Sequence, residues 1–156
     1  MKNLLCVLLV LLSFCFIGCQ SENVEKADEP AKNAREAQAR LAQKEWVIDA
    51  ILLNGREEYK RGVNKEMDKE LGIDWYKFHP DGTFEVKYAD EPETEKSKYV
   101  VNEAANTITF TWDDTDFGKV DCKIEAGSVY NDHFAMSFTE EYQGQKDEFT
   151  LKLVVR

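Results

Sequence analysis

From Glu45 to the chain end, apolar side chains recur at every second position, the period of a β-strand with one buried and one wet face. In the first run Trp46, Ile48, Ala50 and Leu52 alternate, although Val47, Ile51 and Leu53 make both faces apolar. Tyr76 and Phe78 lead into His79-Pro80-Asp81-Gly82-Thr83, where Pro, Asp and Gly each supply turn chemistry, and Phe84, Val86 and Tyr88 follow. This is the clearest hairpin. Further strands are expected at 97–101, 107–112, 119–125, 133–138 and 148–155, with the inward sets Ile108, Phe110, Trp112, then Val120, Cys122, Ile124, then Phe134, Met136, Phe138, and last Phe149, Leu151, Leu153, Val155. About eight such strands with short turns and no crossover helix describe an antiparallel meander, and closing it on itself removes its exposed edges. The expected fold is therefore all-β, an up-and-down barrel of about eight strands over residues 45–156, preceded by a short helix.

The helical period appears only before the barrel. Pro30 suits a first helical residue, and 31–43 is rich in Ala, Arg, Gln and Glu with no further Pro or Gly. Leu41 is its only large apolar residue, so the helix reads as a stalk or a short cap on the domain. The one long connection, 54–74, exceeds a tight hairpin. Asn64 is placed to cap a short helix with Met67 and Leu71 on one face and Gly72 at its end. Such a segment serves either as a lid over the barrel mouth, with Met67 and Leu71 facing in, or as a charged loop without that role.

The amino terminus changes the address. Lys2 precedes an apolar run over 4–17 that is too short to span a bilayer, which takes roughly 20 residues. Phe16-Ile17-Gly18-Cys19 resembles the lipobox of bacterial lipoproteins. The resemblance implies that residues 1–18 are a signal peptide, that Cys19 carries a thioether-linked diacylglycerol and an acylated amino group, and that 19–44 is a lipidated tether with its helix. Two or more chains, at roughly 0.8 kcal/mol per buried CH₂, hold a protein stably on a membrane. Glu22 and Glu25 loosely resemble the acidic stretch of surface-displayed lipoproteins, so the expected location is the bacterial cell envelope, at the outer membrane, with the face left open.

The barrel segment resembles the lipocalin-like lipoproteins of the small kind found in Bacteroidetes. The likeness rests on the Trp opening the first strand in Lys44-Glu45-Trp46-Val47-Ile48, the long first loop, the Phe78-His79-Pro80-Asp81-Gly82-Thr83-Phe84 hairpin and the last strand Phe149-Thr150-Leu151-Lys152-Leu153. Lys44 stands where lipocalins usually have Gly. The family often sets an Arg near the chain end across the Trp, and Arg156 is the candidate here, a cation–π contact of roughly 0.5–2 kcal/mol. The segment is short for a lipocalin, which implies a small cavity.

Charge and cysteines narrow the partners. Without residues 1–18 the 20 Lys and Arg fall to 19 against 30 Asp and Glu, a formal charge of −11. Phosphate binding needs clustered cations, so nucleic acid is not an expected partner. Cys6 and Cys15 leave with the signal peptide and Cys19 takes lipid, so Cys122 stands alone and is expected to pack inward.

Enzyme signatures are lacking: no Gly-x-Ser-x-Gly, no His-Glu-x-x-His, no Cys-x-x-Cys and no phosphate-binding Gly loop. His79 and His133 fall at a turn and on an outer strand face. Asp113-Asp114-Thr115-Asp116-Phe117-Gly118 invites a calcium reading, but Lys119 sits where an EF-hand needs Gly, and strands replace the helices, so a hairpin turn is expected and no metal or cofactor. Glu140 and Glu141 are adjacent on extended chain and point apart. The informative set is aromatic: Trp46, Tyr76, Phe78, Phe84, Tyr88, Tyr99, Phe110, Trp112, Phe134, Phe138 and Phe149 are the expected interior. An eight-stranded barrel is just wide enough to be filled by its own side chains or to hold one small ligand. Two functions follow: a membrane-tethered, non-enzymatic barrel binding a small apolar or amphipathic molecule, or a plugged barrel acting as an inhibitor or immunity module on a basic protein through acidic loops such as 90–95 and 113–116.

Overall fold

The structure is a computed structural model that describes residues 28–42, 44–114, 118–142 and 144–156; the expected signal peptide, Cys19, the expected tether up to residue 27 and residues 115–117 of the expected hairpin turn lie outside the described residues. Helix α1 (Ala34–Leu41) precedes strands β1 (Glu45–Leu53) and β2 (Arg56–Lys60), the single-turn helix α2 (Met67–Glu70), and strands β3 (Ile73–Phe78), β4 (Thr83–Tyr88), β5 (Thr94–Asn102), β6 (Thr107–Asp114), β7 (Gly118–Glu125), β8 (His133–Tyr142) and β9 (Gln145–Val155). Each strand from β3 to β9 pairs antiparallel with the next, and β9 pairs with β1 from Phe149–Leu53 to Val155–Trp46. With β1 also on β3, eight strands close into the expected barrel, and β2 lies outside that count as a flap on β1. No described helix is long and apolar enough to cross a membrane.

The eight expected strands are all present, and the best-marked turn folds for the reasons its residues supply. Gly82 adopts φ +86°, Asp81 Oδ1 accepts from the Thr83 amide at 3.0 Å, and the His79 amide donates to Thr83 O at 2.8 Å. The Thr83 hydroxyl, which donates to Asp81 Oδ1 at 2.6 Å, and then the Thr83 amide hold the Asp81 carboxyl below its ordinary pKa.

Four details depart from the sequence reading. Helix α1 starts at Ala34, not at Pro30, because Asn33 Oδ1 caps it by accepting from the Glu36 amide at 2.9 Å. In β1 the register with β9 shifts between Ile48 and Ala50, so Ile51, not Ala50, stands opposite inward-facing Leu151. This is the effect of a bulge, one extra residue that reverses the facing of all that follow. Residues 54–60 are not loop: Asn54 (φ 50°) and Gly55 (φ 81°) form the left-handed pair of a tight hairpin turn into β2. Asn64 does not cap α2; its side chain accepts from the Lys60 amide at 3.2 Å, while Gly72 at φ 61° does follow the end of the helix.

The core fills one end of the barrel. Trp46 meets Phe134 edge-on at 4.9 Å, and Phe78 is ringed by Phe84, Tyr99, Phe110 and Phe134 at 5.7–6.0 Å. Such pairs add about 0.5–1.5 kcal/mol each beyond area burial. Helix α1 closes this end with Ala34, Ala37 and Leu41, all fully buried, which makes it a cap and not a stalk. Trp46 Nε1 donates to Leu41 O at 3.0 Å and Gln38 Nε2 to Tyr99 Oη at 3.0 Å, and Tyr99 Oη donates in turn to His79 O. Upstream, the Ala31 amide donates to Val129 O at 2.7 Å. The cation over Trp46 is Lys44, at 5.5 Å from the ring, whereas Arg156 pairs with Glu45 and Asp74. A four-carbon stem two residues away reaches the ring more directly than the chain end does.

Candidate functional site

Seven of the eleven expected interior residues, Trp46, Tyr76, Phe78, Phe84, Tyr99, Phe110 and Phe134, are buried, whereas Tyr88, Trp112, Phe138 and Phe149 pack against the core only partly buried. The register explains the division. Phe138 pairs with Phe149, Phe149 with Leu53, and Ile73 with Tyr88, all at the end opposite α1, so the half-exposed residues line the open mouth. Phe138 and Phe149 stack there at 4.9 Å.

Strand β5 opens that mouth. Its inward phase runs Glu95, Ser97, Tyr99, Val101, since Ser97 pairs with Phe84 and Glu95 with Val86. Tyr99 alone of β5 is buried, while Ser97 and Glu95 are exposed. A small hydroxyl and a solvated carboxylate leave unfilled the volume that a ring fills nearer the closed base. The result is a cleft of about 510 Å³ lined by Phe84, Val86, Glu95, Lys96, Ser97, Thr111, Trp112 and Lys119. Its size falls within the range of small-molecule sites, about 300–1,000 Å³.

The polar groups of the cleft are unequally engaged. Glu95 Oε2 accepts from Tyr88 Oη at 3.3 Å, and Ser97 Oγ donates to Thr111 O at 3.5 Å. Lys96 Nζ donates to Glu85 Oε1 at 2.8 Å, and this hydrogen bond holds the Glu85 carboxyl below its ordinary pKa and raises that of Lys96. Trp112, edge-on to Tyr76 at 6.0 Å, has its Nε1 shielded from solvent without a hydrogen-bond partner among the described residues.

Beside the mouth, β1 and β3 pair only at Glu45–Lys77 and Trp46–Tyr76, and β2 takes over the upper edge of β1. A second hollow at this seam is lined by Val47, Ile48, Tyr59, Asp68, Leu71 and Ile73, among others. Of the two residues expected to face inward from this segment, Leu71 packs against the core and Met67 is 36% exposed. Tyr59 is buried and its Oη donates to Asp68, whose carboxylate also accepts from the Gly62 amide at 3.3 Å. Burial first, then that hydrogen bond, pushes the phenol up to about 12.

The sequence reading missed Val86, Glu95, Lys96, Ser97, Thr111 and Lys119 as cleft residues and Tyr59 as the anchor of the flap. Polar side chains at the inward phase of β5 were the available signal. Cys122 does pack inward opposite Phe110, and burial pushes its thiol up to about 12. His133 is exposed, its Nδ1 2.6 Å from Asp132 Oδ1, and with Asp28 it forms an exposed group whose ligand atoms lie within 4.8 Å. Asp28 there accepts from the Asn131 side chain at 3.0 Å, which fastens the start of the domain beside β8. His79 stands 3.5 Å from Glu85, on the opposite phase of β4 from Phe84 and Val86. No known family model and no curated protein matches the chain.

Proposed function

We propose that the protein is a lipid-anchored, lipocalin-like barrel that binds one small apolar or amphipathic molecule in its open half. The observation that carries this is the division of the inward rows: rings pack the half beneath Tyr76, and a cleft of about 510 Å³ floored by Phe84, Val86 and Trp112 opens above it. The lipobox-like Phe16-Ile17-Gly18-Cys19 supports the anchor, and Cys19→Ser is expected to release the protein from the membrane fraction and to abolish palmitate labelling. The β2–α2 segment, the expected lid, sets Tyr59 and Leu71 against the interior at the seam of β1 and β3, a different hollow from the cleft.

Native mass spectrometry on residues 20–156, made without lipid, tests the reading. A small-molecule adduct that disappears on organic extraction, and that Ser97→Arg prevents, is the expected result. Ser97 is exposed, so filling the cleft from that position leaves the ring-packed base untouched. A bare mass, together with no uptake of apolar probes, overturns ligand binding.

The second reading, a plugged barrel acting on a basic protein, is favoured by the packed base and by Asp90, Glu91, Glu93 and Glu95 beside the mouth. It requires association that weakens steeply with salt. Tight association unaffected by 0.5 M salt excludes it.

A further inference from the structure

We propose that the hollow at the seam of β1 and β3 is a second binding site, built for a small zwitterion with an apolar side chain, an α-amino acid, whose carboxylate meets Arg61 and whose ammonium meets Asp68. It shares no lining residue with the cleft and stands without the cleft reading.

The seam exists because β1 changes neighbour. It pairs with β3 at Glu45 and Trp46 and with β2 from Ala50 onward, which leaves Val47 and Ile48 without a partner strand on that side. Both are nonetheless buried, and with Leu71 and Ile73 they give the hollow an apolar wall. Its volume, about 360 Å³, lies at the low end of small-molecule sites.

The charges lining this wall do not cancel within the fold. Asp49 beside it is held by Lys60, and Asp74 by Arg156. Asp68 has only neutral donors, the Tyr59 hydroxyl and the Gly62 amide, so its negative charge is uncompensated. An ionised carboxylate offers about four acceptor positions, and these contacts leave Oδ2 with capacity for an ammonium group. Arg61 supplies the opposite charge. Its amide donates to Asp49 O at 2.8 Å, which ties its backbone to β1. Its guanidinium stands near enough to Tyr59 to favour the ionised phenol, and it has no ion pair or hydrogen bond among the described residues. One spare cation and one spare anion thus line the same apolar hollow without pairing with each other. A carboxylate alone or an amine alone would answer one charge and be repelled by the other. An α-amino acid carries both on one carbon, and its side chain is free to lie on Val47, Ile48 and Leu71.

The test titrates ¹⁵N-labelled residues 20–156, and the variants Arg61→Gln and Asp68→Asn, with three probes: phenylalanine, phenylalaninamide, which lacks the carboxylate, and N-acetylphenylalanine, which lacks the ammonium. Both substituted residues are exposed, and an amide in Asp68→Asn still accepts from Tyr59, so the flap keeps its hydrogen bond. Phenylalanine should shift the amide resonances of Gly62, Leu71 and Ile73, and each blocked probe should bind about tenfold more weakly. Arg61→Gln should lower phenylalanine to the level of phenylalaninamide and leave phenylalaninamide unaffected. Asp68→Asn should lower it to the level of N-acetylphenylalanine and leave that probe unaffected. Blocked probes that bind as well as phenylalanine, variants that weaken all three probes alike, or no binding at about 10 mM phenylalanine overturn the site. Shifts that fall instead on Ser97 and Thr111 put the amino acid in the cleft, which overturns the seam site and leaves the cleft reading standing. The cleft reading falls only by the mass spectra described above.

Discussion

The two ends of the barrel are built from the same strands and the same kinds of side chain, yet one is a packed core and the other an open cleft. At the base, Phe78 touches four other rings and α1 seals the floor through Leu41. At the mouth the rings of Trp112, Phe138 and Phe149 remain partly exposed, and β5 offers Ser97 and Glu95 where the base has Tyr99. Aromatic content therefore does not separate packing from binding in a small barrel. What separates them is whether every strand supplies a bulky residue at the same height.

The comparison breaks most sharply at Phe78. Truncating a fully enclosed ring leaves a cavity that a rigid barrel cannot close, so Phe78→Ala should cost about 3–5 kcal/mol in urea unfolding. Phe149→Ala at the mouth should cost about 1–2 kcal/mol, since the ring keeps part of its contact with water already. Equal costs would mean that the mouth is as much a core as the base.

Next in size is the cap. Leu41→Ala should lose about 2–4 kcal/mol, and it should also weaken the seat of the Trp46 indole, which donates to Leu41 O. A cost under 1 kcal/mol would return α1 to the status of a stalk. Cys122 reports on the same end without a large change of structure. Buried, and with its thiol pushed up to about 12, it should react with a thiol reagent at pH 8 only as fast as the protein unfolds. Rapid labelling of the folded protein would show that the barrel wall opens locally.

How far the sequence reveals this structure follows from the same contrast. The eight barrel strands are legible because their inward rows alternate cleanly, Ile108-Phe110-Trp112 opposite Ile124-Cys122-Val120 being the clearest case. Strand β2 is hidden because Arg56-Glu57-Glu58-Tyr59-Lys60 holds one apolar residue, although the Asn54-Gly55 pair announces its turn. The capping role of α1 is hidden because two of its three buried residues are alanines, which score as helix formers more than as core. The bulge in β1 leaves no trace where both faces are apolar, since Ala50 and Ile51 are equally acceptable inward. Which interior rings are exposed depends on height along the axis, and periodicity gives facing but not height. Two polar residues in phase with Tyr99 were the sole sequence clue to the cleft.

The smallest predicted effect concerns the flap that closes the barrel's side. Tyr59 reaches inward from a charged strand, and its hydroxyl is held by Asp68. Tyr59→Phe keeps the ring in the seam and removes one hydrogen bond, so at neutral pH it should cost about 1 kcal/mol. The phenol is pushed from its ordinary 10 to about 12 in the folded chain, so the stability it contributes is fully present below pH 10 and is lost as pH rises towards 12, where the unfolded chain ionises first. In Tyr59→Phe the fall in stability between pH 10 and 12 should therefore be shallower than in the wild type. It should not vanish, because Tyr99 and Cys122 are shifted in the same direction. An unchanged alkaline slope would place Tyr59 in water and detach the flap from the seam. The mouth would then open down one side of the barrel as far as the Trp46–Tyr76 pair.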